Sequence, residues 1–271
     1  MIRLDTRHPE RLTIEIDEVG IAHVRLTRTD KMNALDPAMF EAMIEAGRKL
    51  FEAPGLRCVV LAGEGRAFCA GLDLMSLGSP GSLTQQPLAE RTYGNANIFQ
   101  QVAMQWRKLP VPVIAAVHGI CFGGGLQIAG GADIRVVAPD TRLAVMEIKW
   151  GIIPDMGGFA LWRGLVREDV LRELTFTNRE FSGNDAVALG FATHADTSPV
   201  TRATAIAHEI AARSPSAIRA AKALFNRVHD LPIDEILMAE SHEQQRLLGT
   251  KNQTEAVRSQ MEGRPGNFVD T

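Results

Sequence analysis

Apolar and polar residues alternate from Leu12 to Ile16 and again from Ile21 to Leu26, and the intervening Asp17-Glu18-Val19-Gly20 predicts a hairpin. After Asp36-Pro37 the period changes. Met39, Phe40, Met43, Ile44, Gly47, Leu50 and Phe51 recur at helical spacing toward a core, with Asp36 suited to cap and Pro37 to the first helical position. Cys58 to Leu61, Val113 to Val117 and Ile134 to Ala138 are short apolar runs that read as buried strands, so strand, helix and strand follow one another in an α/β arrangement with crossover connections. Between Tyr93 and Leu109, the residues Ile98, Val102, Trp106 and Leu109 form a helical stripe expected in the core. Two stretches depart from this rhythm. Ser76 to Gln86 replaces apolar periodicity with Gly, Ser, Pro and Gln and is expected to loop over a pocket. Thr201 to Leu248 carries amphipathic helices without strands, punctuated by Ser214-Pro215 and Leu231-Pro232. The division expected is a core over 1–195 and a helical region over 196–271.

Composition narrows the function. The 271 residues are 45% apolar, enough for a large core. A formal charge of −3, with both signs interspersed, offers no basic stripe for nucleic acid or an anionic membrane surface. No run reaches the roughly 18 apolar residues of a membrane span, and the first 18 residues lack an apolar leader, so a cytoplasmic protein is expected. Three cysteines without C-x-x-C spacing suit reduced thiols, and no cluster has metal-ligand spacing.

Candidate chemistry begins where the strand Val113 to Val117 opens through Gly123-Gly124-Gly125 into Leu126-Gln127-Ile128-Ala129. Backbone N–H groups at such a helix start are free to meet an anion or a developing oxyanion, and glycines let a ligand approach the main chain. The glycines do not make a dinucleotide fingerprint, because Ile128 stands at the third glycine position, and without a Gly-Lys pair they make no phosphate loop of the Walker type. Two acids follow, Glu147 between Met146 and Ile148, and Asp155 in Pro154-Asp155-Met156-Gly157-Gly158. A carboxylate among apolar residues has its pKa raised toward neutrality and becomes a usable proton-transfer group. His118, just before the glycine turn, is expected to be a hydrogen-bonded structural residue.

These residues carry a resemblance. Gly123 to Gln127 with Ala132-Asp133-Ile134, then Glu147 to Gly158, resembles the signature of the enoyl-CoA hydratase/isomerase, or crotonase, superfamily. Lys31-Met32-Asn33-Ala34-Leu35 resembles its early CoA-binding turn, and Arg66 to Leu74 its first oxyanion segment. The resemblance implies a spiral of repeated ββα units with C-terminal helices at a trimer interface, as a homotrimer or a dimer of trimers. It further implies an acyl-CoA thioester whose carbonyl accepts N–H bonds from Leu72 and Gly124, with Lys31, Ala34, Ala70, Asp73, Leu74 and Gly123 beside it, and with Arg264 and Phe268 near CoA. No dissociable cofactor is implied, since CoA enters with the substrate.

The acid positions depart from the hydratase pattern. Hydratases of the family pair two glutamates; the first position here is Gln127, and the second is Glu147. An amide can orient water or substrate but is no general base. Dienoyl-CoA isomerases in the superfamily resemble this chain in having an aspartate at the Asp155 position, although they generally carry a third acid where Gln127 stands. The resemblance therefore favours double-bond isomerisation with Glu147 and Asp155 as the acid/base pair, over hydration of a trans-2-enoyl-CoA and over non-catalytic acyl-CoA binding.

Overall fold

A computed structural model describes residues 1–77 and 87–270. The expected loop from Ser76 to Gln86 therefore lies, from residue 78 onward, outside the described residues. β1 (Ile2–Leu4), β2 (Leu12–Ile16) and β3 (Ile21–Leu26) form an antiparallel edge, with Leu12 opposite Leu26. The Asp17 carboxylate accepts from Val19 N (3.0 Å) and Ile21 N (2.9 Å), which closes the predicted hairpin.

From β3 the chain repeats one path four times: a strand in a long sheet, a short segment in a second layer, then helix. The first turn runs through residues 31–35 into α1 (Pro37–Glu52), where Asp36 caps by accepting from Met39 N at 2.9 Å. β4 (Cys58–Gly63) leads to residues 69–72, then α2 (Leu74–Leu77) and α3 (Ile98–Lys108). β5 (Val113–Val117) turns at His118-Gly119 into β6 (Ile120–Phe122) and α4 (Gly124–Gly130). The fourth turn is β7 (Ile134–Val137), β8 (Arg142–Ala144), a 3₁₀ turn over Glu147–Trp150, α5 (Gly158–Trp162) and α6 (Glu168–Thr177). β9 (Phe181–Ser182), α7 (Gly183–Leu189) and β10 (His194–Ala195) precede α8 (Pro199–Ala211), α9 (Pro215–Phe225), α10 (Ile233–Leu247) and α11 (Lys251–Met261).

The long sheet runs β1-β2-β3-β4-β5-β7-β10 and is parallel from β3 onward. The second layer stacks in the same direction: Leu35 bridges Leu72, Cys69 bridges Cys121, and β6 pairs with β8. This is the spiral that the resemblance implied. The strand runs are apolar without interruption because both faces of the sheet are covered. On one face α1, α3 and α4 build a core around Phe40, Phe68 and Trp106; on the other, Ala203, Ile206 and Ala207 of α8 pack on Cys58, Val60, Ile114, Ala116 and Val136. Phe51, expected in the core, is 63% exposed because it sits on the solvent side of the last turn of α1.

α9 is fastened by a buried cation. Lys222 Nζ donates to Trp106 O (3.1 Å), Val111 O (2.7 Å) and Asp133 Oδ2 (2.7 Å), and the same Asp133 oxygen accepts from Val113 N. Lys222→Met removes the donor to two carbonyls and the cation beside the Asp133 carboxylate, which keeps only Val113 N among the described residues. The expected cost is ~3 kcal/mol, read as a lower urea midpoint at unchanged denaturant slope; an unchanged midpoint would remove this role.

Candidate active site

Consecutive turns of the spiral deliver the site. Leu35 N donates to Gly71 O (2.8 Å) and Asp73 N donates to Leu35 O (3.0 Å), the two bonds of a parallel bridge centred on Leu72. In such a bridge the central residue turns its own N–H to the opposite side. That is the side on which Cys69 N bonds Ile120 O and Phe122 N bonds Cys69 O. Gly71 (φ +88°) makes this turn possible, and a Cβ there would lie 2.8 Å from Phe122 O and 3.6 Å from Gly124 N. Gly124 opens α4, where its N–H has no partner within the helix. The N–H groups of Leu72 and Gly124 thus belong to adjoining segments on one wall.

They line a cavity of about 280 Å³ together with Ala70, Leu74, Gly123 and Glu147. Arg142 and Glu180 close another part of its wall. Their bidentate pair (2.7 and 2.8 Å) lies beside Phe122, whose ring centroid is 5.5 Å from the guanidinium carbon. The sequence carries no sign of this pair, because β8 and β9 bring together residues 38 apart.

Glu147 is 6% exposed, at the start of the 3₁₀ turn. Its Oε1 accepts from Gln127 Nε2 at 2.6 Å, and its Oε2 is buried without a partner among the described residues. Burial pushes its pKa up, opposed by the local N–H groups and the Gln127 amide, while the nearby Asp155 pushes it further up. Asp155, half-buried on the following loop, is raised mainly by burial as well.

Gln127 is fully buried and lies outside the cavity wall. Its Oε1 accepts from Met156 N and Gly158 N, both at 2.9 Å, so its amide group must point at Glu147. Within the protein, Gln127 Oε1 is thus engaged by two N–H groups and one Nε2–H by Glu147. The triple glycine also differs in purpose from the expectation of ligand approach alone. A Cβ at Gly125 would collide with Cys69 O, and one at Gly124 would lie 2.8 Å from Leu35 Cδ1 and Met156 Sδ, so these glycines let α4 settle on its neighbours.

Asp155 also falls outside the cavity wall, as do Lys31, Ala34, Asp73, Arg264 and Phe268. Asp73 pairs with Arg28 (2.8 Å) and accepts from Met75 N at the start of α2. Lys31 is exposed on a 3₁₀ turn, and Ala34 O accepts from Arg28 Nη1 at 2.9 Å. Arg264 is engaged by Glu255 (2.6 Å) and Glu262 (2.6 Å), and the Phe268 ring rests against Gly266. His118 Nε2 meets Gly65 O at 2.9 Å, a structural contact as expected.

A model of the enoyl-CoA hydratase/isomerase family matches residues 17–271, and the chain belongs to that family. Its fold is the crotonase fold: an enoyl-CoA hydratase of Bacillus anthracis superposes with a TM-score of 0.87 at 25% identity, covering 95% of this chain and 98% of that one. An enoyl-CoA hydratase of Mycobacterium smegmatis gives 0.82 at 30% identity, with 95% and 98% covered. Among curated relatives, the mouse mitochondrial Delta(3,5)-Delta(2,4)-dienoyl-CoA isomerase is 27% identical over 94% of this chain and 80% of its own. The Mycobacterium tuberculosis enoyl-CoA hydratase EchA19 is 30% identical over 90% and 91%.

Because the Glu147 pKa is raised in the folded protein, its charged form opposes folding. The stability contribution is present at low pH and lost as pH rises through the folded pKa. Glu147→Gln should therefore melt higher than the parent at pH 8, with the gap closing as pH falls through the ordinary carboxylate range; a gap that is constant with pH would contradict the burial argument.

Proposed function

We propose that the chain isomerises double bonds of an enoyl-CoA or dienoyl-CoA thioester. The observation that supports this reading is a buried Glu147 carboxyl on the cavity wall, with the half-buried Asp155 on the next loop close enough to act on its charge, and with the acceptor oxygen of Gln127 engaged by backbone N–H groups. The thioester oxygen would accept from Leu72 N and Gly124 N. One carboxylate removes a proton from C2, the electron pair spreads through the conjugated chain onto that oxygen, and the other carboxyl delivers a proton to the far carbon. For a 3,5-dienoyl group this yields the 2,4-dienoyl product with no net change in atoms or electrons. Preorganised N–H donors meet the developing charge without solvent rearrangement, so the step calls for no dissociable cofactor.

Hydration is the second reading, supported by the likeness to EchA19. It would need a water held between acid groups, and the Gln127 amide offers no proton-accepting group for that water. We further propose that residues 1–195 bind acyl-CoA, that 196–271 form the contacts of a homotrimer or dimer of trimers, and that the protein acts in the cytoplasm. No helix among the described residues is long and apolar enough to cross a membrane.

Purified protein should convert a 3,5-dienoyl-CoA to the ultraviolet-absorbing 2,4-dienoyl product and leave trans-2-enoyl-CoA nearly untouched. Fast loss of the enoyl substrate alone would transfer the reading to hydration. Gly71→Ala should displace the Leu72 N–H and lower kcat by about 100-fold, and Glu147→Gln should abolish turnover while thioester binding persists. Full activity in either variant would remove the corresponding assignment.

A further inference from the structure

The contacts of Gln127 reach beyond holding a helix in place. Its Oε1 is fixed by the N–H groups of Met156 and Gly158, on either side of Gly157 and immediately after Asp155. With that oxygen committed, the only orientation left for the amide aims Nε2 at Glu147 Oε1, at 2.6 Å. A carbonyl oxygen accepts more strongly than the hydroxyl oxygen of the same carboxyl, so donation to Oε1 favours placing the proton of a protonated Glu147 on Oε2. Oε2 is the oxygen left without a partner among the described residues.

We propose that Gln127 is a positioning residue that makes Oε2 the preferred proton-carrying oxygen of Glu147 and ties the Glu147 carboxyl to the turn bearing Asp155. One uncharged side chain thus links the Glu147 carboxyl to the backbone that follows Asp155. Deepening the isomerase reading above, this means that the one proton Glu147 exchanges with substrate in each turnover passes through Oε2, while Asp155 handles the other. It also explains why an amide is suited to this position. A carboxyl at 127 could still accept from Met156 N and Gly158 N with one oxygen, but its other oxygen would face Glu147 Oε1, and two acids at that distance must share a proton.

Other charged groups around Glu147 do not perform this function. Arg142 and Glu180 satisfy each other in the cavity wall, and Lys149 lies over the Trp150 ring at 5.5 Å from its centroid. On α6, which packs against the 3₁₀ turn, Glu168 pairs with Arg172, Asp169 with Arg167, and Glu173 with Arg179. Asp155 is the neighbouring acid that acts on Glu147.

The test is a carboxyl and amide nuclear magnetic resonance titration, which needs no substrate. In the unsubstituted protein the Gln127 side-chain amide protons should shift with the same midpoint as the Glu147 carboxyl carbon. A Gln127 amide that stays still while Glu147 titrates would overturn the proposal. In Gln127→Glu the Glu147 midpoint should rise by about 1 pH unit or more, and the acid limb of any activity profile should move with it. In Gln127→Met kcat should fall with KM unchanged, and the Glu147 midpoint should again rise. A Glu147 midpoint unchanged in folded variants would contradict the proposal, because a merely structural Gln127 would alter stability alone. Coupled titration in a protein that turns over neither thioester would sustain this inference and remove the isomerase reading.

Discussion

The register in which Cys69 pairs with Cys121 is the constraint on which the site rests. Leu72 lies three residues past one cysteine and Gly124 three past the other, with a left-handed glycine, Gly71 or Gly123, directly before each. A parallel bridge fixes both strands, so the two N–H groups inherit a common wall from the pairing itself. A shift of one residue would turn one of these N–H groups into the ladder. The thiols pack rather than react: burial pushes Cys69 up to about 12 and raises Cys121 well above its ordinary value.

The fourth turn of the spiral then adds the acids. β8 pairs with β6, which carries Glu147 to the glycine turn; a Cβ on Gly123 would lie 3.1 Å from Glu147 Oε1. Gln127, one helical turn into α4, fastens this carboxyl on one side and the loop of Asp155 on the other. The donors and both carboxyls therefore come from three successive turns, each positioned by its neighbour. Structure of this kind holds charge-stabilising groups in place before a ligand arrives, which is where most of their catalytic worth lies.

Much of this was legible in the sequence because it is local. The hairpin at Asp17, the Asp36 cap and the strand Val113–Val117 follow from alternation, capping chemistry and an unbroken apolar run. The raised pKa expected of Glu147 follows from its apolar neighbours. What failed was nonlocal or lay at an edge. Phe51 fits the helical period yet falls on the solvent side at the end of α1. The occupation of Gln127 by Met156 and Gly158 depends on a loop about 30 residues away. The ion pair of Asp73 with Arg28 joins two different turns, which local pattern does not specify. The wall formed by Arg142 and Glu180 depends on the pairing of β8 with β9, which periodicity does not specify.

The central claim is that Leu72 N–H and Gly124 N–H jointly polarise a thioester carbonyl. The most direct measurement is isotope-edited infrared spectroscopy of a carbonyl-labelled acyl-CoA bound to the protein. Two donors aimed at the oxygen should lower the C=O stretching frequency on binding relative to the free thioester, and Gly71→Ala should restore much of the free value. A bound thioester whose carbonyl absorbs at its free frequency in the unsubstituted protein would contradict the account.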